Sequence, residues 1–300
     1  MPDERRSSAA PPHATVGTIS RITTMPTDIP PQLPADSPAA VSHAFGTVAA
    51  ASVIAECLRV QTDVAPRSAV ARFIGRSPLS IDSRPWYLGA LGELNVAARL
   101  ESLGDGWTVL HSVPVGTRGA DIDHVIVGAP GVFTINAKFH EGARVWVGSR
   151  RLLVNGQKTD HLRNTRYEVT RTQKLLSAAV GTEVPVRGAT VIVSAKQITI
   201  REQPDDVAVL EAQRLVRWLN NQKAVLNPTQ VATIATAVRD AATWSNEPTA
   251  LPDTSGFAAL RREVESAGRT RMVWGVAVLI AILGVSIPLV LDFYGRAVGG

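Results

Sequence analysis

The chain has 300 residues, 45% of them hydrophobic and 19% charged, enough for one or two domains with a packed core. A net charge of +5 permits an anionic partner, either nucleic acid or an anionic membrane surface. The single cysteine, Cys57, excludes an internal disulfide framework and a zinc-ribbon site, and reads as a small apolar side chain on an Ala-rich helix.

Residues 1–38 are rich in Pro, Ser, Ala and Thr without an apolar period, and are expected to be disordered. The opening Met-Pro-Asp-Glu-Arg-Arg has no apolar core behind it, unlike a secretory signal. Ala39 to Val60 reads as a helix, interrupted by His43 and Glu56 and so too broken to span a bilayer. Residues 61–85 read as a connector punctuated by Pro66, Pro78 and Pro85.

Trp86 to Leu103 reads as a helix ended by Gly104, with Glu93, Val96, Ala97 and Leu100 on one stripe. A glutamate within an apolar stripe is costly unless it is paired or binds a metal. Trp107 to Val115 reads as a strand, with Pro114 at a sheet edge. Asp121 to Lys138 alternates apolar residues on either side of Ala129-Pro130-Gly131 and predicts a β-hairpin. Strand side chains alternate faces, so Asn136 and Lys138 share one face, Ala137 takes the other, and Asp123 faces the pair from the neighbouring strand. A carboxylate, an amide and a lysine on one sheet surface suit phosphodiester chemistry: the carboxylate holds a divalent metal while the lysine steadies developing negative charge.

Two short strands, Arg144–Val147 and Arg151–Val154, precede the turn dipeptide Asn155-Gly156 and a helix from about Thr159 to Ala179. Leu162, Val169 and Leu176 mark that helix's sheet-facing side. Arg163, Arg166, Arg171 and Lys174 with Tyr167 mark its other side, a pattern suited to phosphate contacts and a stacked base, or to a plain solvated face. Glu141, Asp160 and Glu168 are read as the acidic counterweight. Val186 to Ala195 reads as a strand buried on both faces, Asp206 to Leu210 as an edge strand, and Glu211–Asn221 and Thr229–Thr243 as closing helices. The order implies an α/β domain over residues 86–244, a mixed sheet flanked by helices. His124, His140 and His161 have no zinc-like spacing and read as structural or surface residues.

Residues 245–257 read as a linker, and Arg261 to Arg271 as a basic juxtamembrane stretch. Met272 to Leu291 carries no charge and at about 1.5 Å per residue reaches a bilayer's thickness. Trp274 and Tyr294 sit where interfacial anchors belong, and Pro288 is tolerated near the end of a span. Arg261, Arg262, Arg269 and Arg271 precede the span and only Arg296 follows it, so the large N-terminal part is expected in the cytoplasm, tethered to the cell membrane by a single pass with residues 292–300 outside.

The segment from Trp86 to Ala195, through LGELNVAARLESL, IDHVIVGAPGVFTINAK and the helix after Asn164, resembles the nuclease-related domain (NERD), a family similar to the PD-(D/E)xK restriction-endonuclease-like nucleases. The resemblance implies a restriction-endonuclease-like mixed sheet, DNA as the favoured partner, and a catalytic set of Glu93, Asp123, Asn136 and Lys138. Asp123 and Asn136 would be the metal ligands and magnesium, a hard cation preferring oxygen, the ion. Asn136 stands where the family pattern wants an acid. Three readings stay open: a weakened enzyme, an enzyme using another acid such as Asp121 or Glu141, or a site kept for binding. The competing function is a tethered module that binds nucleic acid or a protein partner without cutting, and a third reading sets the basic helix against anionic lipid. No Gly-rich phosphate loop points to an organic cofactor.

Overall fold

The computed structural model describes residues 45–115, 121–245 and 252–298, so the expected disordered segment 1–38 lies outside the described residues. All of them fall within the unit His43–Gly300. Nine strands form among them: β1 (Thr108–Pro114), β2 (Asp121–Gly128), β3 (Gly131–Phe139), β4 (Arg144–Gly148), β5 (Arg151–Val154), β6 (Gln157–Lys158), β7 (Val186–Val193), β8 (Gln197–Ile200) and β9 (Val207–Glu211). The helices are α1 (Ala51–Thr62), α2 (Ala69–Phe73), α3 (Ser83–Leu100), α4 (His161–Val180), α5 (Leu215–Asn220), α6 (Pro228–Arg239) and α7 (Phe257–Val298).

The fold is mixed α/β, but with two mixed sheets where the sequence predicts one. The larger runs β1-β2-β3-β7-β9; β1 to β3 are an antiparallel meander, and β7 and β9 continue it in parallel. The smaller runs β6-β5-β4-β8. Its β8, Gln-Ile-Thr-Ile, alternates polar and apolar residues and is exposed at both ends, so it lacks the apolar run that marks β7.

Two apolar cores sandwich the large sheet. On one side Val96 and Leu100 of α3 pack on Phe133, Ile135, Ala137, Val191 and Leu215. On the other, Leu176 of α4 and Ile234 and Val238 of α6 pack on Val125, Val127, Val132 and Val186. The period-2 alternation of β3 sorts its residues between these cores, as the sequence predicts.

A third core joins α1, α3 and the start of α7 through Ile54, Cys57, Tyr87, Ala90, Phe257 and Leu260. Burial pushes the Cys57 thiol up to about 11, in keeping with an inert apolar role. Two expectations change here. Helix α3 starts at Ser83, because Pro85 falls in its first turn, where the missing N–H costs nothing. The stretch read as linker and basic segment is helical from Phe257 onward, since Phe257, Leu260 and Ala267 are buried against the domain. Helix α7 then continues without a break, Pro288 included, through an exposed segment whose most apolar window has a mean hydropathy of 2.5. It is long and apolar enough to cross a membrane.

Candidate functional site

The site begins where β2 and β3 part. Their antiparallel register pairs Gly128 with Gly131 and ends at His124 with Ile135. One step beyond, the Asp123 side chain replaces the ladder: its Oδ2 accepts the Ala137 N–H at 2.7 Å. Asp123 is thereby fixed beside Asn136 and Lys138, and the Lys138 charge acts on it directly. Asp123 and Asn136 are buried, and Lys138 is partly exposed.

Helix α4 closes over this face. It packs tightly because β7 carries Gly188 beneath it: a Cβ there would lie 2.6 Å from Val169 and 2.7 Å from Thr165. The Thr165 hydroxyl meets that of Thr190 at 2.9 Å, and one helical turn from Thr165, Glu168 points inward. The Asn136 amide donates to Glu168 Oε1. An acid on α4 therefore lies next to the asparagine that stands in β3. The sequence reading places Glu168 among the counter-charges of a basic helix, whereas the structure buries it in the site. A signal was present: Glu168 falls on the arc shared by Leu162, Thr165 and Thr172, as costly a place for a carboxylate as the stripe of Glu93.

Glu93 comes from α3, whose neighbouring Gly92 lies against Phe139; a Cβ on Gly92 would sit 3.2 Å from that of Phe139. Asp121 comes from the start of β2 and is held by the Ser52 hydroxyl of α1. Four carboxyl groups thus crowd around Lys138. Burial, then the Asp123 and Asp121 charges, raise Glu93 well above the usual carboxylate range. Burial and the Asp123 charge push Glu168 up to about 8 and Asp121 up to about 6. Burial also raises Asp123, opposed by Lys138 and the Ala137 N–H. Glu141, the other alternative acid, is exposed on the turn after β3.

Four buried oxygens of the cluster accept no hydrogen bond: Glu93 Oε2, Asp121 Oδ2, Glu168 Oε2 and Asn136 Oδ1. Unpaired hard oxygens in a cluster short of positive charge are the donor set of a divalent cation such as magnesium. Among the described residues no three His, Cys, Asp or Glu side chains stand as a finished metal site, and the Asn136–Glu168 hydrogen bond occupies one of the oxygens. The donor chemistry fits the ion; the ligand set would have to close around it.

The histidines pair in a way their sequence spacing conceals. His140 Nε2 and His161 Nε2 meet at 2.9 Å, and burial followed by the Lys138 charge lowers the pKa of both, that of His161 to about 3. His111 and His124 meet through their Nδ1 atoms at 2.8 Å within the β1–β2 pair. The first pair, at the start of α4, borders the site; the second lies in the sheet.

The outer face of α4 carries the predicted cations unevenly. Arg166 is engaged by both oxygens of Asp206 at 2.6 and 2.9 Å, and Arg163 pairs with Asp160 at 3.1 Å. Arg171 is half-buried, while Tyr167 and Lys174 are exposed. A cleft of about 630 Å³ lined by Ile200, Val209, Arg217 and Trp218 lies elsewhere and includes none of the clustered acids.

Among known families, residues 88–193 match the model of the nuclease-related domain, NERD. The match runs from within α3 to the end of β7 and takes in Glu93, Asp121, Asp123, Asn136, Lys138 and Glu168. No curated protein and no solved structure matches the chain.

Proposed function

We propose that this nuclease-related domain hydrolyses phosphodiester bonds of DNA in a magnesium-dependent reaction, held at the cytoplasmic face of the cell membrane by α7. The observation that carries this reading is the inward-facing group of Glu93, Asp121, Asp123, Asn136 and Glu168 around Lys138, with four buried oxygens free of hydrogen bonds. Asp123, Asp121 and Glu168 would hold the ion, with the Asn136 carbonyl oxygen as a neutral ligand. Magnesium, when bound, polarises the phosphoryl oxygen and acidifies water. Lys138 holds the charge that builds on the phosphoryl oxygens as water adds to phosphorus and the bond to the leaving oxygen breaks. Glu93 orients that water and receives its proton. Tyr167 and Lys174 offer the exposed stacking surface and cation for the strand.

The orientation rests on the Arg261, Arg262, Arg269 and Arg271 side of the span. The test uses the full chain in detergent micelles with labelled single- and double-stranded DNA and RNA, in magnesium, manganese or chelator. Metal-dependent cutting should fall roughly 100-fold or more in Asp123→Ala and in Lys138→Ala. DNA binding without cutting, unaffected by either substitution, would replace the nuclease with a tethered binder.

A further inference from the structure

Helix α2 and its flanks lie in the stretch that the sequence reads as a mere connector, yet they are fastened along α7 from Glu263 to Trp274. Ser68 caps its first turn, accepting the Ala71 N–H. Arg67 reaches Glu263 of α7 at 2.7 Å and also donates to the Arg76 carbonyl. Gly75, at φ +72°, lets the backbone lie flat on α7: a Cβ there would come 2.7 Å from the Ala267 carbonyl oxygen and the Arg271 nitrogen. Arg271 donates to the Gly75 carbonyl at 3.0 Å. Trp274, the third residue of the uncharged run, donates to the Phe73 carbonyl at 2.8 Å and meets the Phe73 ring edge-on at 4.9 Å.

What α2 exposes is apolar. Val70, Phe73 and Ile74 are 70%, 64% and 52% exposed, and their i, i+3, i+4 spacing puts them on one helical face. Beside them Arg72 and Arg76 are exposed, as are Arg269 and Arg271 on α7, and no acidic residue occurs between Val64 and Ile81. A short helix with an apolar face and a cationic rim is the chemistry of an interfacial membrane contact. Its position names the occupant: the patch is continuous, through Phe73 and Trp274, with the helix surface that leaves the domain for the bilayer.

We infer that α2 is a second membrane foot, setting Val70, Phe73 and Ile74 into the headgroup boundary of the leaflet that α7 enters, with Arg72 and Arg76 on anionic lipid. This rests on the reading of residues 272–291 as a span. Two attachment points, one crossing and one lying in the interface, hold the domain at a fixed tilt where a single helix would let it swivel. The acid cluster is then presented to a substrate at the membrane surface in one orientation.

The test places nitroxide labels on the full chain in vesicles of phosphatidylcholine and phosphatidylglycerol at about 3:1, an anionic surface for the cationic rim. Cys57 is buried with its thiol pushed up to about 11, so it stays unlabelled. Three variants are compared: Val70→Cys, Leu279→Cys within the span, and Thr62→Cys at the exposed end of α1. The expected result is a Val70 site severalfold more accessible to oxygen than to an aqueous nickel chelate, as at Leu279 and opposite to Thr62. A Val70 site open to the chelate while Leu279 favours oxygen overturns the foot and leaves the span. A Leu279 site open to the chelate overturns the span and the foot with it. A Val70 site shielded from both, with spin–spin broadening, means that a second copy covers the patch, and also overturns the proposal.

Discussion

The two faces of α4 have opposite characters. Its outer face has the cations, and the two that stand out as phosphate ligands, Arg163 and Arg166, are already paired with Asp160 and Asp206. Its inner face has one carboxylate, Glu168, buried among other acids with an unpaired oxygen. Exposed charges are satisfied by neighbours or water at little free-energy gain, while a buried carboxyl among other acids is driven toward its protonated form, as the raised Glu168 is. The chemistry is therefore expected on the inner face, and substitutions on the two faces of the same helix should differ sharply.

On α4 the largest effect should come from Glu168. Replacing it with Gln is expected to lower metal-dependent cleavage roughly 100-fold, comparable to loss of a charged stabilising group. Adding Asn136→Asp should then restore part of the activity by returning an acid to β3, measured as initial rates across magnesium concentrations. If Glu168→Gln cuts normally, α4 does not supply the missing acid.

Gly188→Ala addresses how the inner face is held. The new methyl would collide with Val169 and Thr165, lifting α4 and Glu168 from the sheet. The expected cost is about 1–3 kcal/mol in chemical unfolding, with a loss of cleavage larger than the loss of folded protein explains.

The acid cluster should also write itself into the pH dependence of stability. Glu168 has a folded pKa raised to about 8 from an ordinary 4.5, so the folded state binds more protons than the unfolded one between those values. Without metal, its contribution is fully present below pH 4.5 and is lost as pH rises toward 8; Asp121 adds the same trend from 3.8 to about 6. Thermal unfolding in chelator should show Tm falling across this range, more gently in Glu168→Gln, and added magnesium should recover most stability at the alkaline end.

The outer face should give the smallest changes. Arg166→Ala removes an exposed ion pair, for an expected stability loss below about 1 kcal/mol, and leaves DNA affinity nearly unchanged. Tyr167→Ala and Lys174→Ala should each weaken binding severalfold, and Lys174→Ala alone should flatten its salt dependence. A large binding loss in Arg166→Ala would show that the arginine leaves Asp206 for phosphate and would blur the contrast between the faces.

How much of this was legible in advance depends on how local each feature is. The hairpin, the shared face of Asp123, Asn136 and Lys138, the inward stripe of Glu93 and the charge-free run of α7 were all readable, because each follows from a period of two or of 3.6 residues, or from an unbroken apolar length. The matched nuclease-related segment falls inside the stretch that these patterns delimit. The pairing of His140 with His161 joins residues twenty-one apart, and that of Asn136 with Glu168 joins residues thirty-two apart; neither pair lies within one element, so no local period relates them. Sequence periodicity determined which side chains share a face. Only tertiary packing, through the close approach that Gly188 gives α4 and Gly75 gives α7, decided which faces meet, because that depends on contacts between segments that no local period encodes.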